Sequence, residues 1–312
     1  MRSFFTKKCF LVGFLTLLIF FLLTEPVLCR TYASRALLVW FEQMIPTLLP
    51  FMILSGFLTE SQMAGSFVHC VAGPLRKMFH KNDEFCYCII MGFFCGFPMG
   101  AKATADQYQK GNISKAEAVS LLCFCNIIGP VYFLRYVMPL FRITHVLIYV
   151  IEMYAIPFLY GIFLIKTNNH AENPPVSISR NGVHMHFLLA LDHSVTVSMT
   201  QITKIGGYMI LFSLFNIFPQ MLLPPAISFQ NREMIAMFLE ISSGLATCQA
   251  LSPHLCISFV QFGGLSCLAQ SLESLQIVGI SPAKYLFHKC ILALLTLTYF
   301  LTLSAMFPFL LR

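Results

Sequence analysis

Charge is what this sequence has least of. Of its 312 residues only 11% are Asp, Glu, Lys or Arg, and just 13 are acidic, against roughly a quarter charged in an ordinary soluble domain. So little polar surface cannot cover a folded globule of this length. A water-soluble domain is excluded, and lipid must be the solvent for much of the exterior. The 20 Lys and Arg residues outnumber the acids, but they stand singly between apolar runs, as loop anchors do, and form no basic stripe. A nucleic-acid partner is therefore not expected. The CxxC pair is also missing: the 12 cysteines lie mostly in or beside apolar runs, as small buried hydrophobes rather than a disulfide framework. His184, His186 and His193 are the only histidine cluster, and three histidines in a polar loop do not complete a closed metal site. No GxSxG, HExxH or Walker loop occurs, so neither enzyme chemistry nor a cofactor is expected.

What the chain does have is a series of long apolar runs, with a mean hydropathy of +0.76. A helix of about 20 apolar residues crosses roughly 30 Å of hydrocarbon. Arg2, Lys7 and Lys8 precede a first run, Cys9 to Leu28, whose end lacks the small residues of a cleavage site; it reads as an uncleaved signal anchor. Six further crossings read as Leu37 to Leu58, Ala118 to Leu140, Thr144 to Ile165, Ile205 to Leu223, Leu255 to Leu272 and Cys290 to Phe309. Two more stretches, Phe85 to Gly100 and Met234 to Leu251, are too short or too broken to cross and read as re-entrant segments. With the amino terminus inside, this map puts fourteen basic residues inside, Lys289 among them, and six outside: Arg30, Arg35, Arg135, Arg142, Arg232 and Arg312. That asymmetry supports the orientation.

The order of elements repeats. An amphipathic approach near Trp40 leads to a span, a re-entrant segment and two more spans, and from about Leu188 the same order recurs. Each unit crosses three times, an odd number, so two copies in series must enter the membrane from opposite faces. Phe124-Cys125-Asn126-Ile127-Ile128-Gly129 echoes Phe259-Val260-Gln261-Phe262-Gly263-Gly264. The expected fold is thus an all-α polytopic membrane helix bundle, an inverted-topology repeat with two re-entrant broken-helix hairpins. It divides into a signal anchor (1–35), a first repeat (36–166), a cytoplasmic linker (167–187) and a second repeat (188–312).

Candidate site residues lie where the helices break. Gly92, Gly96 and Gly100 recur every fourth residue and let another backbone approach, and Pro98 should interrupt the helix just before Lys102. A lysine at bilayer depth is kept there by a partner or a task; the other reading has its stem reaching back to the interface. Ser114-Lys115-Ala116-Glu117 fits a capping box, so a helix should begin there and carry Asn126 about three turns in, as interhelical glue or as a ligand contact. Glu240 is an acid inside an apolar run, followed by Ser242, Ser243 and the breaker Gly244: a proton carrier, or a carboxylate held ionised by a cation such as Lys102. Gln249, Gln261 and Gln270 add neutral hydrogen-bonding groups, and Glu152 is better read as a structural hydrogen bond.

These residues also carry a resemblance. Ile45-Pro46-Thr47-Leu48-Leu49-Pro50-Phe51, Gly96-Phe97-Pro98-Met99-Gly100-Ala101-Lys102, Ile205-Gly206-Gly207-Tyr208, Leu239-Glu240-Ile241-Ser242-Ser243-Gly244 and Phe262-Gly263-Gly264-Leu265-Ser266, in this order over about residues 36 to 305, resemble the YlbJ family of sporulation integral membrane proteins. The resemblance implies a nucleoside-recognition (Gate) domain similar to the gate region of concentrative nucleoside transporters. It also implies a place in the outer forespore membrane and the movement of dipicolinic acid, with Lys102 near a dicarboxylate. The expected partners are a small-molecule anionic substrate and the bilayer. Nucleoside transport and a non-transporting membrane scaffold for spore formation stand as alternatives.

Overall fold

A computed structural model describes residues 2–61, 63–141, 143, 145–167, 187–224, 228–248 and 251–307. Helices α1 (Arg2–Thr24) and α2 (Pro26–Val39) meet at Glu25, where Pro26 takes the first position of the new helix. A π turn, Trp40–Met44, joins α2 to α3 (Ile45–Glu60). Two short helices, α4 (Ala64–Val71) and α5 (Gly73–Phe79), lead to α6 (Asp83–Phe94) and α7 (Met99–Gln109). Next come α8 (Lys115–Phe124), α9 (Pro130–Tyr132), a π turn (Phe133–Val137), α10 (Met138–Leu140) and α11 (Val146–Thr167). The second half holds α12 (Phe187–Leu214), α13 (Ile217–Leu222), α14 (Phe229–Leu239), α15 (Ile241–Thr247), α16 (Pro253–Phe262), α17 (Gly264–Val278) and α18 (Pro282–Met306). No strand occurs among the described residues. Five stretches there are long and apolar enough to cross a membrane: 26–60, 146–167, 187–222, 253–278 and 282–306.

Local chemistry sets the helix starts. Asn82 accepts from the Phe85 N–H at 3.0 Å to open α6, with Asp83 and Glu84 in the positive first turn. The capping box forms: the Glu117 N–H donates to Ser114 Oγ, and the Ser114 N–H to Glu117 Oε2. Ser252-Pro253 and Ser281-Pro282 open α16 and α18, each serine accepting a backbone N–H of its first turn.

Several spans differ from the expected map. Ala118 to Leu140 is not one helix; it unwinds over residues 125–129 between α8 and α9. Leu255 to Leu272 breaks at Gly263, whose φ of +90° ends α16. The helix expected from Ile205 starts at Phe187, and the one expected from Cys290 starts at Pro282. The re-entrant expectation is met in shape: α6 and α7 fold back on each other, so that a Cβ on Gly100 would lie 2.8 Å from Gly92 Cα. The same folding back joins α14 to α15, with a Cβ on Gly244 2.8 Å from Met237 Cα. The 167–187 linker lies almost wholly outside the described residues.

The central seam runs between α2–α3 and α12. Ser194 Oγ donates to Ile53 O (2.5 Å), the Trp40 indole N–H to Ile202 O (2.8 Å) and Ser213 Oγ to Tyr32 O (3.1 Å). As one number falls the other rises, so these two helices, the leading spans of the two halves, run antiparallel. The buried face of α12 holds small residues and hydroxyls, Ala190, Ser194, Ser198 and Gly206 among them, which is how membrane helices come close. At Gly206 a Cβ would lie 2.6 Å from the Trp40 ring, whereas at Gly207 nothing stands within 4 Å. Gly206→Ala is expected to cost about 1–3 kcal/mol through overpacking against a tethered indole, while Gly207→Ala leaves the melting temperature in detergent unchanged. Equal melting temperatures for the two variants would contradict this packing.

Candidate functional site

Four interruptions of the backbone meet near the middle of the seam. The first is the turn 95–98 between α6 and α7, and the second is the unwound segment 125–129; the Phe97 N–H donates to Ile127 O at 2.8 Å and joins them. Glycine makes the junction: a Cβ on Gly92 or Gly100 would run into the carbonyl of Cys125, and one on Gly96 (φ +74°) into the backbone of Gly129. The third break is Glu240, between α14 and α15, and the fourth is Gly263–Gly264. Phe97 reaches from the first break to the fourth, where a Gly263 Cβ would stand 2.7 Å from Phe97 Cζ. All four contribute to the lining of one small cavity of about 40 Å³, through Phe97, Gly129, Glu240, Ser242 and Gly263, alongside Met44 and Leu48 before them in the chain and Ile205 and Met209 of α12.

Two further cavities lie on the same seam. One of about 50 Å³ is lined by Ser55, Thr59 and Glu60 near the end of α3, by His193, Ser198 and Gln201 of α12, and by Lys102 and Asp106. The other, about 540 Å³, is lined by Tyr32 and Arg35 of α2, Ser213 and Asn216 beside the end of α12, and Arg232, Glu233, Ser243 and Thr247. Along α2–α3 the order is third cavity, central cavity, first cavity, and along α12 it is the reverse. The three cavities therefore stand in single file, spread over the 29 residues from Tyr32 to Glu60, or roughly 40 Å at 1.5 Å per helical residue.

The expected site residues fall into separate places. Glu240 and Ser242 line the central cavity, Ser243 and Gly244 the third, and Lys102 the first. Lys102 thus shares no cavity with Glu240; its ammonium pairs with Asp106 at 3.1 Å, one helical turn on. Nor is Glu240 held by a cation. Its carboxylate accepts the N–H groups of Ser242 (3.1 Å) and Ser243 (2.6 Å), capping α15 in the interior. At α15 the protein's own acid thus occupies the helix end. Gly96, Pro98 and Gly100 shape the backbone junction and line none of these cavities. Asn126 turns away from the central cavity and donates to Ser271 Oγ and the Tyr285 hydroxyl, both at 2.8 Å. Gln261 is buried and neither side-chain polar atom has a hydrogen-bond partner; its neighbours Val260 and Gly263 line the cavity, and Gln270 lines it too. Glu152 accepts from Thr296 Oγ1 at 2.5 Å, the structural hydrogen bond expected of it. His184, His186 and Gln249 lie outside the described residues.

One charged residue escaped the sequence reading. Lys289, placed there in an inner loop, is 2% exposed on α18. Its Nζ donates to the carbonyl of Asn126 at 2.7 Å and stands 4.5 Å from the centroid of the Phe97 ring. The signal was present in Ser281-Pro282, a cap followed by a first-position proline: starting the helix there sets Lys289 two turns inside it.

No family model matches the chain, and no solved structure matches it. It is similar to the sporulation integral membrane protein YlbJ of Bacillus subtilis (strain 168), 29% identical over 222 residues that cover 63% of this chain and 54% of that protein. The chain thus spans about half the length of this curated relative. With the ordered motifs and the helices described above, this likeness makes the chain a multi-pass helical membrane protein similar to YlbJ.

Proposed function

We propose that this protein is a secondary transporter or facilitator that carries a small organic anion, dipicolinic acid, across the outer forespore membrane during sporulation. The observation that carries the reading is the single file of three cavities along the α3–α12 seam, with the middle one lined by all four breaks in the backbone. Irregular backbone at membrane depth is tolerated where protein or a cavity satisfies it, and broken helices meeting midway are the build of secondary transporters. At one end of the file Arg35 and Arg232 outnumber the single acid Glu233, which favours an anionic solute there; at the other, Lys102 stands with the acids Glu60 and Asp106. The one acid lining the middle is already engaged by α15. The similarity to a sporulation protein supplies the biological setting.

The test is uptake of labelled dipicolinate and, in parallel, uridine into vesicles containing the purified full chain. Dipicolinate is expected to enter and uridine to stay out. Ile205→Trp, which projects an indole into the central cavity, should cut uptake at least tenfold while the melting temperature holds. Uridine entry would favour the nucleoside alternative. Uptake of neither solute would favour the scaffold, and normal dipicolinate uptake by Ile205→Trp would exclude the central cavity as the route.

A further inference from the structure

We propose that Lys289 is the counter-charge for the carboxylate of the transported anion, and that the Phe97 ring is the plug between that ammonium and the central cavity. The assignment rests on the anion-transport reading and names the group that would meet the substrate. Among the described residues Lys289 is the only buried Lys or Arg, and no ion pair there includes it. An ammonium has three N–H donors. Lys289 places one on the Asn126 carbonyl and faces the remainder of its surroundings with the π cloud of Phe97. A carbonyl dipole and a ring do not neutralise a full charge, and an ionisable group in a membrane interior stays for a partner or a function. The other cations on the seam differ. Lys102 already has Asp106, and Arg232 donates to Gln220 Oε1 and the carbonyls of Leu223 and Pro224.

Position makes the missing partner an anion from the cavity. Phe97 lines the central cavity; its ring centroid stands 4.5 Å from Lys289 Nζ, and its Cζ edge reaches Gly263, which has no side chain to hold the ring there. Turning the ring aside uncovers the ammonium to a ligand in the cavity. The Asn126 side chain, turned away from the cavity, keeps its own buried Oδ1 without a hydrogen-bond partner and is not assigned to the ligand. The chemistry recognised is that of a small carboxylate, whereas a neutral ligand would leave the charge unmet.

The test uses the full-length protein in vesicles and in detergent, with dipicolinate and its neutral diamide, pyridine-2,6-dicarboxamide, as probes. Lys289→Met keeps the length of the side chain and removes the charge. Its dipicolinate uptake is expected to fall at least tenfold with the melting temperature preserved, and Lys289→Arg should recover part of it. In thermal-shift titrations wild type should prefer dipicolinate to the diamide at least tenfold, and Lys289→Met should lose that preference. A merely structural lysine would not change this ratio. Unchanged uptake and preference in Lys289→Met would overturn the assignment. So would a Lys289→Met that fails to fold while Lys289→Arg folds, because the charge would then be a brace for the unwound segment. A wild-type protein that moves no carboxylate refutes the transport reading itself, and this assignment with it.

Discussion

Gly96→Ala is expected to lower the melting temperature more than any other single methyl group considered. Two penalties coincide at this position. The residue sits at a φ of +74°, where an L side chain costs about 1–2 kcal/mol. Its Cβ would also press on the backbone nitrogen of Gly129 and lie 2.9 Å from Ile127 O, the acceptor for the Phe97 N–H. Backbone cannot swing aside as the end of a side chain does, so overpacking adds about 1–3 kcal/mol. The sum, roughly 2–5 kcal/mol, is a large share of the 5–15 kcal/mol that stabilises a typical domain. Size-exclusion profiles and melting curves in detergent should show the loss, with Gly73→Ala, which meets nothing within 4 Å, as the control. A Gly96→Ala protein as stable as the control would mean that the two breaks do not interlock here.

Glu240→Ala should abolish dipicolinate uptake and lower the melting temperature together. The alanine strands the Ser242 and Ser243 N–H groups in the interior, where each loses its carboxyl acceptor. An unsatisfied buried donor costs about 1–3 kcal/mol, so the two together should loosen the tip of the α14–α15 hairpin by roughly 2–6 kcal/mol. Tyr136, whose hydroxyl donates to Ser242 O at 3.0 Å, would lose a fixed partner as well. Glu240→Gln retains one acceptor oxygen and is expected to fall between wild type and Glu240→Ala in both measurements. Full activity and stability in Glu240→Ala would show that the carboxylate is not what holds the hairpin tip.

The glycine spacing at Gly92, Gly96 and Gly100, the proline after it and the isolated acid at Glu240 were legible as breaks from the sequence, because each violates a local rule of helix continuity. The capping box at Ser114 was legible for the same reason: its bonds are local. The partners of the breaks were not. Nothing near Asn126 in the chain announces that its carbonyl receives Lys289 from 163 residues away, and hydropathy placed that lysine in a loop because a charge normally ends an apolar run. The start of α12 was missed on similar grounds. Asp192, His193 and Lys204 lower the local hydropathy, while the surface that packs against α3 is a stripe of Ser194, Ser198 and Ile202 at helical spacing. A stripe of small hydroxyls is a contact between membrane helices, but averaged over a window it reads as polar loop. Lys102 was legible as a cation after a helix break, and its acid lies one turn on along the same helix, a spacing that any helix brings together.

The three spaces along the seam have no lining residue in common. On the transport reading proposed above, a solute meets three separate spaces along the seam. Any solute that does pass has to wait for a wall to shift before it advances. Flux through such a device would saturate with concentration and rise steeply with warming, the behaviour of an airlock and not of an open drain.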